Sequence, residues 1–98
     1  MFIFAEIFIS NMEKQELIQQ LKEQIIEVLS LEDITPDDID PAEPLFVEGL
    51  GLDSIDALEL ILLLEKRYGI RIEDPKERRS VLQSIETMAE RIIRHKKQ

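Results

Sequence analysis

Between Asp53 and Gly69 the chain reads Asp-Ser-Ile-Asp-Ala-Leu-Glu-Leu-Ile-Leu-Leu-Leu-Glu-Lys-Arg-Tyr-Gly, and no other stretch narrows its folding options so far. Asp53 is a good N-cap, because its carboxylate can accept from the unpaired N–H groups of a first helical turn. Asp56, three residues on, sets a second carboxylate near the positive end of the helix dipole. Gly69 suits the left-handed residue that follows a helix. A helix is therefore predicted over about 54–68. Its apolar residues, Ile55, Leu58, Leu60, Ile61, Leu62, Leu63 and Leu64, exceed what one buried stripe requires. A helix apolar nearly all round is deeply buried or has a second apolar contact.

Two further segments carry helical spacing. Leu17, Leu21, Ile25, Val28 and Leu29 recur at three and four, predicting a first helix from about Glu13 to Leu29. Ile85, Met88, Ala89, Ile92 and Ile93 predict a last helix from about Ser84, its N-cap, to His95. Between them, Asp74 followed by Pro75 opens a short third helix, and Val81 and Leu82 return the chain to the core. Ile70 and Ile72 alternate with Arg71 as an extended link with its apolar residues inward. The expected fold is all-α: a small four-helix bundle, three longer helices and one short third helix, with a long loop between the first two.

That loop, from Ser30 to Asp53, contains Pro36, Pro41, Pro44, Gly49 and Gly51, and loops of such length often belong to function. Ile34, Ile39, Leu45, Phe46 and Val47 are expected to pin it to the core. No frame beginning at Asp33, Asp37 or Asp38 gives oxygen ligands at the first, third and fifth places with Gly at the sixth, so it is no EF-hand. From Glu32 to Glu65 there are 11 Asp or Glu and no Lys or Arg. The net charge of −9 makes nucleic acid and anionic membranes poor partners.

Met1 to Ile9 is apolar except for Glu6. It is too short to span a bilayer and lacks the basic start of a secretory signal. Its β propensity is high, yet the chain offers no second strand for it. Residues 1–11 are read as a leader or upstream extension, with Met12 the natural start and 12–98 the domain. The alternative is an extra turn or two of the first helix, with Ser10 and Glu13 forming a capping box at the junction.

Ser54 falls at the first helical position, where a side chain points to solvent, and Gly51 lets the preceding loop turn sharply. A serine nucleophile needs a base and a group to orient it. The one histidine, His95, lies in the C-terminal tail, and there is no cysteine. The chain is therefore not expected to be an enzyme, and any chemistry at Ser54 requires another protein.

Gly51-Leu52-Asp53-Ser54-Ile55-Asp56-Ala57-Leu58-Glu59-Leu60 closely resembles the prosthetic-group site of acyl carrier proteins, and the resemblance runs from about Leu17 to Ile93. It implies that Ser54 carries 4′-phosphopantetheine, placed there from coenzyme A by a phosphopantetheinyl transferase that recognises Asp53. The arm's terminal thiol then holds an acyl chain as a thioester. The phosphodiester at the helix N-terminus is expected to be offset by free N–H groups and the dipole, and opposed by Asp53 and Asp56. By the same resemblance, Ile55, Asp56, Leu58, Glu59 and Leu62 face partner enzymes. These are acyl-transfer and ketosynthase enzymes with basic docking patches. Leu60, Ile61, Leu64 and Ile72 face the acyl chain or the core. The third helix is basic, with Arg78 and Arg79, and about two residues longer than in the commonest fatty-acid carriers. A cytoplasmic monomer with no metal and no membrane insertion is expected. Peptidyl and D-alanyl carriers are alternatives, although peptidyl carriers usually show Gly-Gly where this chain has Gly-Leu. A cofactor-free acidic adaptor is another.

Overall fold

The computed structural model describes residues 3–46 and 52–96, and its helices follow in the expected order. They are α1 (Ile3–Val28), α2 (Ser54–Tyr68), α3 (Pro75–Val81) and α4 (Ile85–Lys96), with one 3-10 turn at Pro36–Asp38. Among the described residues there is no strand. The expected all-α bundle with a short third helix is what forms.

The first helix corrects the sequence reading. It begins at Ile3 and not near Glu13, so the Ser10–Glu13 junction lies inside continuous helix and has no terminus to cap. The residues read as strand-prone have no partner strand, whereas adding turns to a formed helix avoids the cost of a new nucleus. In conformation, the alternative of a lengthened first helix is the one observed.

Helix ends follow their local chemistry. At the end of α1, Ser30 adopts φ 54°, and Leu31 N–H donates to Ile26 O at 2.9 Å. This closes the helix as a glycine would, at a cost in backbone strain. At the end of α2, Gly69 sits at φ 68°, and Ile70 N–H donates to Leu64 O at 3.1 Å. Asp74 caps α3 through Lys76 N–H at 2.9 Å, with Pro75 at the first position. Ser84 Oγ accepts from Thr87 N–H at 3.2 Å and caps α4.

The core joins Leu17, Leu21 and Ile25 of α1 to Leu60, Leu63 and Leu64 of α2, with Ile85, Met88, Ala89 and Ile92 of α4. Ile18 is buried as well. Ile70 and Ile72 are buried on either side of exposed Arg71, as the alternation predicts. Lys14 of α1 reaches Glu86 and Glu90 of α4 at 3.4 and 3.2 Å. Arg91 of α4 holds Glu77 of α3 at 3.0 Å.

Backbone hydrogen bonds clip the long connection to the bundle. Ile39 and Leu45 are buried, and Ile34 and Phe46 are half-buried against the core. Pro41 O accepts from Glu86 N–H at 2.9 Å, and Leu45 N–H donates to Gln83 O at 2.9 Å. Leu52 N–H then donates to Leu45 O at 3.0 Å. Through these two steps the start of α2 is tied to the turn between α3 and α4. Val47, Gly49 and Gly51, read from the sequence as an anchor and as turn residues, lie outside the described residues.

Candidate functional site

At the start of α2 the two carboxylates read from the sequence form a complete capping box. Asp53 Oδ1 accepts from Ile55 N–H and Asp56 N–H, both at 3.0 Å. Asp56 Oδ2 accepts in return from Asp53 N–H at 3.0 Å. Four N–H groups at a helix start lack intrahelical partners. Here those of Asp53, Ile55 and Asp56 are all taken by carboxylates. The expectation that free amides await an anion beside Ser54 is therefore corrected: the chain's own aspartates have filled most of them.

The same geometry fixes what loss of the cap costs. Asp53→Ala leaves two amides without acceptors and is expected to lower stability by about 1 kcal/mol, whereas Asp53→Asn keeps an acceptor and stays within a few tenths. Thermal unfolding of the two variants checks this: equal losses would mean the carboxylate's charge matters and its hydrogen bonds do not.

Ser54 is the first residue of α2 and is exposed. It lines an open groove of about 590 Å³ between α2 and the α3 region. The groove's apolar lining comes from Phe46, Leu52, Ala57, Leu58, Ile61 and Leu82, and its polar lining from Asp53, Ser54, Arg78 and Arg79. Arg78 is held at its base, because its Nε–H donates to the Ile72 carbonyl at 2.6 Å.

The residues assigned by resemblance do not separate into two faces, because Leu58, assigned to the partner side, lines the groove together with Ile61. Ile55 and Leu58 are 72% and 59% exposed, the two large apolar side chains that α2 leaves in water. Glu59 is exposed beside them, while Asp56 and Leu62 are half-buried. Of the four assigned toward the acyl chain or core, Ile61 lines the groove, and Leu60, Leu64 and Ile72 lie in the buried core. Sequence reading did not single out Phe46, Leu52, Ala57, Leu58 and Leu82 as groove residues. A signal existed for Ala57, because Ser54, Ala57, Leu58 and Ile61 follow the three-and-four spacing of one helix face. His95, half-buried near the end of α4, is not among the groove's lining residues.

The fold and site together are those of a small helical domain with an exposed hydroxyl at a capped helix start, beside an apolar groove. Comparison with known proteins agrees. The family described as phosphopantetheine attachment site matches residues 19–76. An acyl carrier protein from a Sulfurovum species is 38% identical over 58 residues, covering 59% of this chain and 72% of the relative. One from Brachyspira hyodysenteriae is 38% identical over 84 residues, 83% of this chain and 97% of the relative. A third, from Campylobacter hominis, is 28% identical over 82 residues, 83% and 99% of the two chains. No solved structure matches significantly. The chain belongs to the phosphopantetheine attachment-site family, that of the acyl carrier proteins. Acyl carrier proteins hold a covalent phosphopantetheine and are carriers, not enzymes.

Proposed function

We propose that Ser54 is the attachment residue and that the protein carries acyl intermediates between biosynthetic enzymes of the fatty-acid or polyketide type. The observation that supports this most is the placement of Ser54: exposed, first in its helix, and among the residues that line an apolar groove. When bound, the arm supplies the thiol on which acyl groups are held as thioesters, and the chain itself has no cysteine to offer. The chain's own residues do the rest. Asp53 and Asp56 hold the backbone of the helix start on which Ser54 is presented. Phe46, Leu52, Ala57, Leu58, Ile61 and Leu82 shelter apolar cargo from water.

Partner enzymes meet the exposed face of α2. Ile55 and Leu58 provide apolar contact, and Asp56 and Glu59 draw basic patches toward it; half-buried Leu62 adjoins them. Burial of two such side chains stabilises a complex by about 1.5–3 kcal/mol each at most, which suits transient docking. A phosphopantetheinyl transferase is the first such partner, with Asp53 part of what it recognises. We place the carrier domain at 12–98, with 1–11 a leader or upstream extension, and expect a cytoplasmic monomer. Among the described residues no helix is long and apolar enough to cross a membrane.

Purified protein incubated with coenzyme A, Mg²⁺ and a broad-specificity transferase is expected to gain the mass of one phosphopantetheine. Failure of the wild type with several transferases contradicts the proposal. Mass spectrometry of thioester-bound cargo on protein from its native cell then separates fatty-acid, polyketide-type and peptidyl roles.

A further inference from the structure

We propose that Arg78 and Arg79 form a phosphate-binding pair for the arm on Ser54, fixing its proximal end against the groove between α2 and α3. The inference rests on Ser54 being the attachment residue and adds what holds the attached group.

A phosphodiester on Ser54 brings a negative charge to a place already acidic. Asp53 and Asp56 flank it, and their carboxylates occupy three of the four helix-start amides that would otherwise receive an anion. The sequence from Glu32 to Glu65 supplies no Lys or Arg to offset them. The groove's only cations among its described lining residues are Arg78 and Arg79. Both line the same groove as Ser54 and Asp53.

Neither arginine is committed elsewhere among the described residues: no carboxylate lies within 4.0 Å of either guanidinium, although Arg67, Arg71 and Arg91 all have one. Arg78 is tethered through Nε to Ile72 O at 2.6 Å, so the base of its fork is preorganised while its Nη groups stay available to an acceptor. A planar guanidinium presents paired N–H groups that match two phosphate oxygens, which an ammonium cannot do. Both arginines are exposed at the open groove, so the contact is expected to be sensitive to added salt.

The test uses holo-protein, with loading verified by intact mass before any other measurement. The ³¹P resonance of the phosphodiester is followed in wild type, Arg79→Gln, Arg79→Lys, the double variant Arg78→Gln/Arg79→Gln and the control Arg71→Gln. Arg79→Gln is the primary variant, because Arg78 also holds the Ile72 carbonyl and its loss can disturb α3. Expected are a shifted and narrower ³¹P line in Arg79→Gln, a larger change in the double variant, and partial retention in Arg79→Lys. Arg71→Gln should leave the line unchanged. Added salt should move the wild-type line toward the variants and barely move theirs, since the contact is ionic. Full loading with one ³¹P position and width in all five proteins overturns this inference and leaves Ser54 standing. A wild type that accepts no arm overturns the assignment of Ser54 and this inference with it.

Discussion

Ser54→Ala is expected to accept no phosphopantetheine while folding as the wild type does. The residue is exposed at the first position of α2, its hydroxyl caps nothing, and alanine is the best helix former, so stability should stay within about 0.5 kcal/mol. Among the described residues, Ser54 is the one serine or threonine that lines the groove between α2 and the α3 region. Ser84 is buried and caps α4, and Thr87 donates to the Val81 carbonyl at 2.7 Å. Ser30 closes α1 in a left-handed conformation, and Ser80 lies on the last turn of α3, on the side lined by Arg91 and Arg94. Intact mass and circular dichroism, measured on one preparation, check both halves. An unfolded Ser54→Ala, or one that still gains the arm, would contradict the site as drawn.

Leu64→Ala should have the opposite profile, with folding lost before loading. Leu64 is wholly buried in the core that α2 shares with α1 and α4, and close-packed neighbours relax only partly into the space its isobutyl group leaves. Such truncations cost about 2–5 kcal/mol. A domain of 98 residues has a total stability on the order of 5–15 kcal/mol. The midpoint of thermal unfolding should therefore fall on the order of 10–30 °C. Ile55→Ala, which removes a side chain 72% exposed, should shift it by a few degrees at most and impair partner turnover instead. Comparable thermal losses in the two variants would mean that α2 does not bury the face described.

Helix existence is legible in the amino-acid sequence, because it follows from apolar spacing and from caps whose chemistry is local. Asp53 with Asp56, Gly69, Asp74 with Pro75, and Ser84 all act within a few residues of where they stand. The exposed hydroxyl is legible for the same reason. The start of α1 is not, because Phe and Ile favour strands when paired, and whether a partner exists depends on the whole chain. The groove is harder still. Leu60, Leu64 and Ile72 read as facing cargo or core from resemblance, yet which side of a nearly all-apolar helix meets the core depends on how α1 and α4 dock. Arg78 and Arg79 stand out as basic, but their place in one groove with Ser54 depends on clips such as Leu45 N–H to Gln83 O and Leu52 N–H to Leu45 O, which no local pattern announces.

Ser54 itself is tested by peptide mapping, using tandem mass spectrometry of protein loaded from coenzyme A. The whole added mass should fall on the one peptide that contains Asp53-Ser54-Ile55, on its serine and at one arm per chain. An arm found on any other residue, or none on a folded chain, would contradict the account.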